Sequence, residues 1–297
     1  MPSTTAELLD LLDLEDLDLD LFRGRQPHTT WQRTFGGQVL AQALVAGART
    51  VPERTAHSMH ALFLHAGRTD LPMIFDVERI RDGRTFSTRR VNARQHGRTI
   101  FTAELSFKNR EDGPEHSDPM PDYLPDPDHC PTLAQALEQM FGRPMPTVKE
   151  WDALDVRLAS DGSQFVDPNH VTHLSLWVRT TAGLPDDRVV QRAILAYVSD
   201  ISLMAGAVMP HLGSVPPGMV VNPASLDHAM WFHRTAEADR WMLYDQVSPS
   251  ASGLLGFSMG RLMQDGKLIA SCCQEGVMRL VDASDLDAAV TFPLGPQ

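Results

Sequence analysis

Cysteine is scarce in this chain, and its scarcity excludes one class of fold. Only three cysteines occur among 297 residues, and two of them, Cys272 and Cys273, are adjacent. Three cysteines cannot form the framework of a disulfide-stapled secreted domain. The sequence also lacks an apolar run of about 18 residues that would cross a bilayer, and its N-terminus lacks the pattern of a signal peptide. We therefore expect a cytoplasmic globular protein with no membrane partner.

Positive charge is also in short supply. The chain has 26 Lys and Arg against 38 Asp and Glu, which leaves a net charge of −12. Binding to nucleic acid or to an anionic membrane needs a basic surface, so neither partner is expected. Neither a P-loop nor a dinucleotide-binding G-x-G-x-x-G after a strand is present. Arginines do concentrate between Arg79 and Arg98, which leaves an anionic small-molecule ligand open.

The sequence contains one internal repeat. Residues His57–His65 read H-S-M-H-A-L-F-L-H, and residues Ser225–Arg234 read S-L-D-H-A-M-W-F-H-R, with an offset of 168 between equivalent positions. The turn glycines Gly97 and Gly266 lie 169 residues apart, which is nearly the same offset. Two copies are too few for a solenoid, so the repeat predicts one unit built twice.

Each copy has the pattern of a helix followed by antiparallel strands. Residues 35–51 combine apolar and small residues on several helical rows, which is typical of a helix that its neighbours approach closely. Alternation then predicts strands from His57 to Phe107. In the second copy a long apolar helix, ended by Pro210, precedes strands from Ser225 to Leu280. A helix followed by an antiparallel meander indicates the α+β class.

A proline-rich stretch separates the two copies. Eight prolines fall between Pro114 and Pro146, with acidic residues among them. This composition predicts a linker or a long surface connection, with a short helix at Leu133 to Phe141. We expect three parts: a first half over residues 1–108, a proline-rich acidic linker over 109–168 and a second half over 169–297.

Asp200 is the most unusual residue of the second copy. Tyr197, Asp200 and Met204 follow helical steps of three and four, so the carboxylate lies on an apolar face. A carboxylate there needs hydrogen-bonding partners, and perturbed carboxylates cluster at active sites. The competing interpretation is that the helix breaks at Ser199 and that Asp200 merely caps its second half.

Two further polar residues stand near apolar positions. Alternation in the last strand places Gln274 on the same, less polar face as Cys272. A buried glutamine needs partners for its amide, which a substrate, a core residue or the backbone can supply. Ser225 is harder to place, because alternation favours neither face of its strand. When the two copies are aligned, Ser225 is equivalent to His57. The copies therefore differ at this position, where one has a hydroxyl and the other an imidazole.

Other motifs carry little weight. Residues Gly256–Gly260 match G-x-S-x-G, but a hairpin turn follows where a nucleophile elbow requires a helix. The pair His57 and His60 lacks the carboxylate or cysteine partners of a metal site, so no metal is expected. Arginine-rich strands that include Arg89 and Arg90 are commonly a solvated face, with contact to a nucleotide phosphate as the alternative.

Together these residues resemble the acyl-CoA thioesterase II (TesB-type) family. The resemblance is carried by F-G-G-Q-V-L-A-Q-A-L, G-R-T-F-S-T-R-R-V, A-Y-V-S-D, S-L-D-H-A-M-W-F-H-R and Q-E-G-V-M-R. With L-L-D-L-E they occur in the family's order and span residues 8–279. The resemblance implies a double hotdog fold, in which two pseudo-symmetric halves each wrap an antiparallel sheet round a long central helix.

The resemblance also implies a reaction. The expected activity is hydrolysis of fatty acyl-CoA to fatty acid and CoA by water, without a cofactor. The family's catalytic Asp, Thr and Gln fall on Asp200, Ser225 and Gln274. Serine in place of threonine keeps the hydroxyl but loses the methyl group that restrains its rotamer.

Contacts with the substrate are expected from both the resemblance and the arginine-rich strands. His57 matches a histidine that the family often carries, and we interpret Arg89 and Arg90 as contacts for the CoA phosphates. The family's usual Arg-Pro-Gly is replaced by His-Ala-Gly at residues 65–67. A homo-oligomer is left open. Two other functions fit the fold: an acyl-CoA-binding module without catalysis, and an enoyl-CoA hydratase-like enzyme.

Overall fold

The first half of the chain forms one central helix and six antiparallel strands. The computed structural model describes residues 1–121, 124–142, 151–159 and 172–285. The first half contains, in chain order, α1 (Thr5–Leu12), β1 (Glu15–Asp18), β2 (Leu21–Gly24), α2 (Gly36–Arg49), β3 (Thr55–Phe63), β4 (Met73–Asp82), β5 (Phe86–Gln95) and β6 (Arg98–Lys108). Neighbouring strands follow the order β1-β2-β4-β5-β6-β3.

The helix α2 is the core of this half. Residues 37–48 are buried without exception, because small side chains let the strands approach from several directions. A Cβ atom on Gly47 would lie only 2.5 Å from Cδ1 of Leu105. The Thr50 hydroxyl donates to the carbonyl oxygen of Gly47 at 2.8 Å and so completes the last turn. The prediction of a closely surrounded helix is confirmed.

The segment between the halves contributes to the sheet. It contains α3 (Leu133–Phe141), which has the predicted bounds, and β7 (Leu154–Leu158). Thr132 and Gln135 form a capping box at the start of α3. Because alternate residues of β7 are buried and β7 pairs with the strand that follows it, part of the segment interpreted as a linker is an edge strand. The expected boundary between residues 168 and 169 lies outside the described residues.

The second half repeats the order of helix and strands. It contains β8 (Thr172–Thr180), α4 (Arg188–Ser199), α5 (Leu203–Val208), β9 (Met219–Ser225), β10 (Asp227–Phe232), β11 (Met242–Ser252), β12 (Leu255–Gln264) and β13 (Lys267–Asp282). The sheet continues from β3 in the order β10-β13-β12-β11-β8-β7, and β9 pairs with β13. The described strands thus form one sheet of 13 strands.

The long apolar helix predicted for this half is divided into two. The helix α4 ends at Ser199, whose hydroxyl donates to the carbonyl oxygen of Ala196 instead of remaining free. Such serine bonds compete with the backbone ladder, and Ser202 leaves the helical region with φ −138° and ψ 2°. By length and a mean hydropathy of 1.5, the stretch Arg188–Ser214 is apolar enough to cross a membrane. However, 78% of its most apolar window is buried in the fold, as in a core helix.

The strand predicted over Ser225 to Arg234 is also divided. Ser225 pairs with Gly276, whereas Ala229 pairs with Cys273. Between these two pairs, three residues (226–228) therefore oppose two (274 and 275), which is a β-bulge. Both backbone groups of Leu226 are used there, because its N–H donates to Glu275 and its carbonyl accepts from Phe63. The bulge explains why alternation could not assign a face to Ser225.

The two halves meet along β3 and β10. Met59 pairs with Met230, His60 with Ala229 and Ala61 with His228. Since His60 and His228 are equivalent in the repeat, this register is what a two-fold axis between the strands produces. The helices α2 and α4 pack against each other on the inner face. The predicted α+β architecture of two halves, each with a central helix inside an antiparallel sheet, is confirmed.

Candidate active site

The break between α4 and α5 places Asp200 beside an internal cavity. Asp200 follows α4 as its C-cap, but the N-cap of α5 is Ser202. The buried Oδ1 atom of Asp200 accepts no hydrogen bond from any described residue. The competing interpretation is therefore right about the break in the helix and wrong about a capping role for Asp200.

The N-terminus of α2 packs against this carboxylate. A Cβ atom on Gly36 would lie 2.6 Å from Asp200 Oδ2, and one on Gly37 would lie 2.4 Å from the carbonyl oxygen of Tyr197. Only glycine permits so close an approach. The backbone N–H of Gly37 favours the ionised carboxylate of Asp200, as does the positive end of the helix dipole.

Burial has a measurable consequence for Asp200. Desolvation raises the pKa of its carboxyl from 3.8 to about 7, because a low-dielectric environment penalises the charged form. Hydrogen bonds from the Gln274 side chain and the Gly37 backbone oppose this rise. Near neutral pH both protonation states of Asp200 are populated, which suits a group that accepts and returns a proton.

Gln274 connects Asp200 to Ser225. It lies on the inner face of β13, as predicted, and is 1% exposed. Its Nε2 atom donates to Ser225 Oγ at 2.5 Å, and its side chain also bonds to Asp200. The structure therefore brings together all three residues expected to be catalytic, and Asp200 and Ser225 line the same cavity.

A buried histidine completes the polar network, and the sequence analysis did not single it out. His228 is 0% exposed; its Nδ1 atom is 2.6 Å from Gln274 Oε1 and its Nε2 atom is 2.9 Å from Ser199 Oγ. The Tyr244 hydroxyl donates to the carbonyl oxygen of Ser199 at 2.5 Å. One available signal was alternation, which puts His228 on the inner face with Met230.

The cavity is large enough for a substrate and has two kinds of wall. Its volume is 570 Å³, within the usual range for ligand pockets. One wall is apolar and comes from α3, α5, β7 and β8 through Leu137, Met204, Val208, Leu158 and Leu174. Another part carries Arg33 and His65, and Arg98 donates to His65 Nδ1 at 3.1 Å. Arg33 and Arg98 form no ion pair within the described part of the chain.

His57 does not line this cavity. Its Nε2 atom is 2.8 Å from Ser106 Oγ, and its ring meets that of Phe86 edge-on at 5.6 Å. Burial and the nearby Lys108 and Arg192 lower the pKa of His57. The structure thus places His57 near the start of β3, whereas Ser225 lies beside the other end of that strand. The interpretation of His57 as a substrate contact stays a prediction.

The two predicted phosphate contacts are also placed elsewhere. Arg89 is 1% exposed and donates to Asp82 at 2.7 Å and to the Thr50 hydroxyl at 2.8 Å. Arg90 pairs with Glu104 at 2.7 Å. Neither arginine lines the cavity. Burial beside Asp82 speaks against Arg89 as a contact for the CoA phosphates, whereas the same interpretation of the half-exposed Arg90 stays a prediction. Their guanidinium groups pair with carboxylates on the two neighbouring strands, Arg89 with Asp82 of β4 and Arg90 with Glu104 of β6.

Alternative nucleophiles receive no support from their surroundings. Ser258 of the G-x-S-x-G match lies within β12 and is 0% exposed, so it is no strand-to-helix elbow. Burial raises the pKa of Cys272 to about 12, which keeps its thiol protonated and unreactive. Among the described residues, no group of three or more His, Cys, Asp or Glu could hold a metal ion.

Comparison with known protein families gives two matches. A model described as "Acyl-CoA thioesterase N-terminal domain" matches residues 25–108, and one described as "Acyl-CoA thioesterase" matches residues 150–277. The chain is 38% identical over 284 residues to human acyl-coenzyme A thioesterase 8, covering 91% of this chain and 88% of the human protein.

Solved structures give the same result for the fold. The structure of acyl-CoA thioesterase II TesB2 from Mycobacterium marinum is 39% identical, with a TM-score of 0.78 over 92% of this chain and 98% of that chain. A protein of unknown function from Alicyclobacillus acidocaldarius, described as having a hot dog fold, is 20% identical with a TM-score of 0.69. That match covers 91% of this chain and 97% of the other, and it bears on the fold alone. The double hotdog expectation is confirmed.

Proposed function

The chain belongs to the acyl-CoA thioesterase family, and from that premise we propose which of its residues hydrolyse fatty acyl-CoA to fatty acid and CoA. Asp200 is the general base, Ser225 holds the attacking water, and Gln274 fixes the positions of both. One observation carries this assignment: Gln274 bonds to Ser225 and to Asp200 at the wall of a cavity that both of them line.

The reaction begins with a water molecule between the Asp200 carboxylate and the Ser225 hydroxyl, both of which belong to residues that line the cavity. Ionised Asp200 takes a proton from this water while the water oxygen forms a bond to the thioester carbonyl carbon. The π electrons of the carbonyl move to its oxygen. The N-terminus of α2 lies beside Asp200, and the positive end of its helix dipole supplies the potential that an oxyanion needs.

The second step releases the thiol. The tetrahedral intermediate re-forms its carbonyl double bond and breaks the C–S bond. The proton held by Asp200 passes to the CoA sulfur, so CoA leaves as the thiol and the base is regenerated. A thiol has an ordinary pKa of about 8.5, and Asp200 with a pKa of about 7 is well matched to donate to it.

Replacement of the base tests the proposed roles. We expect Asp200→Asn to lower kcat for palmitoyl-CoA by about 100-fold or more, as loss of a general base does. Asp186→Asn, in an exposed residue before α4, is the control and keeps full activity. Ser225→Thr should retain activity and Ser225→Ala should lose it, measured by release of free thiol. Wild-type activity in Asp200→Asn, or equal activity in both Ser225 variants, would remove that residue from the mechanism.

We further propose that Arg33, Arg98 and His65 receive the phosphates of CoA. Support comes from charge: the protein carries −12 overall, yet Arg33 and His65 line this rim of the cavity and Arg98 donates to His65, and neither arginine has an acidic partner among the described residues. Arg33→Glu combined with Arg98→Glu should raise KM for acyl-CoA at least about tenfold, since each charge reversal replaces attraction by repulsion. The phosphate-free thioester of N-acetylcysteamine serves as the control, and an equal loss with it would contradict the assignment.

We propose, finally, that the chain forms a homo-oligomer. The outer face of the sheet near β3 and β10 exposes Leu62, Trp231 and Met259 at 52%, 36% and 44%. Apolar groups of this size on one face are common at subunit interfaces. Light scattering on the purified protein should give a multiple of the chain mass that Trp231→Arg reduces. A monomeric wild-type protein would refute the proposal.

A further inference from the structure

His228 is placed to control the orientation of Gln274. It belongs to the inner face of β10 and is fully buried. Both of its ring nitrogens have partners: Nδ1 is 2.6 Å from Gln274 Oε1, and Nε2 is 2.9 Å from Ser199 Oγ. Neither His228 nor Ser199 lines the cavity, so the ring reaches the site only through Gln274.

The direction of each hydrogen bond follows from its partners. The ionised carboxylate of Asp200 can only accept, so the Gln274 group beside it is the amide NH₂, which also donates to Ser225 Oγ. The amide oxygen of Gln274 then faces His228, and because that oxygen also only accepts, Nδ1 must carry the ring proton. Burial lowers the pKa of His228 to about 4, so the ring is neutral. Its Nε2 atom therefore carries no proton and accepts from the Ser199 hydroxyl, whose one proton is shared with the carbonyl oxygen of Ala196; both acceptors lie 2.9 Å from Ser199 Oγ.

Without the hydrogen bond from His228, the side-chain amide of Gln274 could adopt the opposite orientation. An amide can turn by 180° with little change in shape, and a turned Gln274 would point its oxygen at the carboxylate of Asp200 and at Ser225. That arrangement removes a donor from the base and from the hydroxyl that positions water. The proton on Nδ1 of His228 excludes this turned orientation of Gln274, because it needs the amide oxygen as its acceptor.

From this geometry we infer that His228 is a positioning residue, whose Nδ1–H fixes Gln274 with its NH₂ group toward Asp200 and Ser225. The inference rests on the proposed function for its effect on catalysis. The hydrogen-bond polarity that it asserts is independent of any activity.

The repeat supplies a matched control. His60 is the equivalent of His228 in the first half, but it is exposed and its ring meets Trp231 edge-on at 5.2 Å. No hydrogen bond joins its ring to another described residue. The same substitutions at His60 and His228 therefore change the same residue type on paired strands, in one case outside the site and in the other beside Gln274.

Two variants separate the hydrogen bond from the shape. In His228→Asn the amide nitrogen takes the place of Nδ1 and can donate to Gln274, whereas His228→Phe fills the space without a donor. We expect His228→Phe to lower kcat about 10- to 100-fold, the usual cost of losing a residue that orients a functional group, with little change in KM. His228→Asn should recover most of that loss, and both His60 variants should behave as wild type.

The coupling to Gln274 can be measured directly. In a Gln274→Ala background, His228→Phe should cost no further activity, because a residue that acts through Gln274 has nothing left to orient. Equal losses for His228→Asn and His228→Phe, or additive losses with Gln274→Ala, would overturn the inference. If the wild-type protein releases no thiol from acyl-CoA, the proposed function fails instead.

A spectroscopic measurement covers the case in which His228 variants do not fold. Nitrogen-15 labelling of histidine in the intact wild-type protein distinguishes the two neutral tautomers by chemical shift. One buried histidine should show Nδ1–H that persists from about pH 5 to pH 8, and Ser199→Ala should shift the signal of its Nε2 atom. An Nε2–H tautomer for this residue would contradict the inference, whatever the activity.

Discussion

Asp200 is held where burial and hydrogen bonding oppose each other. Because desolvation raises its pKa to about 7, only the fraction that is ionised can act as a base. We expect kcat/KM for acyl-CoA to rise about tenfold per pH unit below pH 7 and to become level above it. The profile is measured by thiol release between about pH 5 and pH 8.5. A profile without an inflection near pH 7 would contradict Asp200 as the base with this pKa.

Gly36 allows α2 to begin directly against the carboxylate. A Cβ atom there would lie 2.6 Å from Asp200 Oδ2 and 3.0 Å from Phe63 Cζ, so Gly36→Ala must displace the base or its neighbour. We expect a loss of kcat of about 100-fold, the order that a displacement of about 1 Å costs a positioned group.

The same change should leave the protein folded, because alanine is the better helix former by about 1 kcal/mol. Gly213→Ala is the control, since a Cβ atom on Gly213 meets nothing within 4 Å. Thermal unfolding and kcat are measured for both variants. Full activity in Gly36→Ala would show that the contact with Asp200 has no role.

The sequence reveals some of these residues better than others. Asp200 and Gln274 could be predicted because each breaks an apolar pattern, and a break in a pattern is visible without coordinates. His228 could not be separated from the core, since an inward imidazole between apolar neighbours has the same alternation whether or not it serves the site. Arg89 was assigned to a ligand because alternation gives no sign of a partner such as Asp82, which only the β4–β5 hairpin brings near.

Two irregularities in otherwise regular elements build the site. The break after α4 turns Asp200 out of the helix, and the bulge between β9 and β10 turns Ser225 toward Gln274. Regular continuation of either element would have placed these side chains on other faces. The helices and strands could be predicted from the periodicity of the sequence, but the helix break and the β-bulge could not. Such irregularities depend on tertiary contacts, such as the hydrogen bonds of Leu226 with Glu275 and Phe63.

The helix α3 forms part of the apolar wall and should limit the length of the acyl chain. Ala136 is 6% exposed and Leu137 is 7% exposed, and both line the cavity. Ala136→Trp fills this end, so we expect kcat/KM for palmitoyl-CoA to fall about tenfold or more relative to hexanoyl-CoA, since each buried methylene contributes about 1 kcal/mol. Thiol release with both substrates gives the ratio.

The outer face of the same helix provides the control. Glu138 is exposed and does not line the cavity, so Glu138→Trp adds the same ring without filling the wall. It should leave the ratio unchanged. An unchanged ratio in Ala136→Trp as well would place the acyl chain elsewhere in the cavity.

The whole molecule is a two-fold-related pair in which only one member carries the proposed chemistry. Strand pairing across β3 and β10 is symmetric, yet Ser225 stands where the first half has His57, and the buried His228 stands where the first half has the exposed His60. The first half instead contributes the N-terminus of α2 and the rim of Arg33 and His65 to the same cavity. Neither half contains the complete site.

The burial of Asp200 between the two halves also makes the stability of the whole fold depend on pH. A carboxyl whose pKa rises from 3.8 to about 7 on folding binds its proton more tightly in the folded state. The resulting stabilisation is complete below about pH 4 and is lost as the pH rises through 7. Between about pH 5 and pH 8 the loss is roughly 2 to 3 kcal/mol.

Asp200→Asn removes this dependence, because an amide has no charged form to desolvate. We expect the variant to gain stability over the wild type as the pH rises, by roughly 2 to 3 kcal/mol between about pH 5 and pH 8, while its activity is lost. The free energy of unfolding in urea, measured at both pH values for the wild type, Asp200→Asn and the exposed control Asp186→Asn, checks this. A difference between Asp200→Asn and wild type that does not change with pH would mean that the fold solvates this carboxylate after all, and that its proton affinity in the folded state is ordinary.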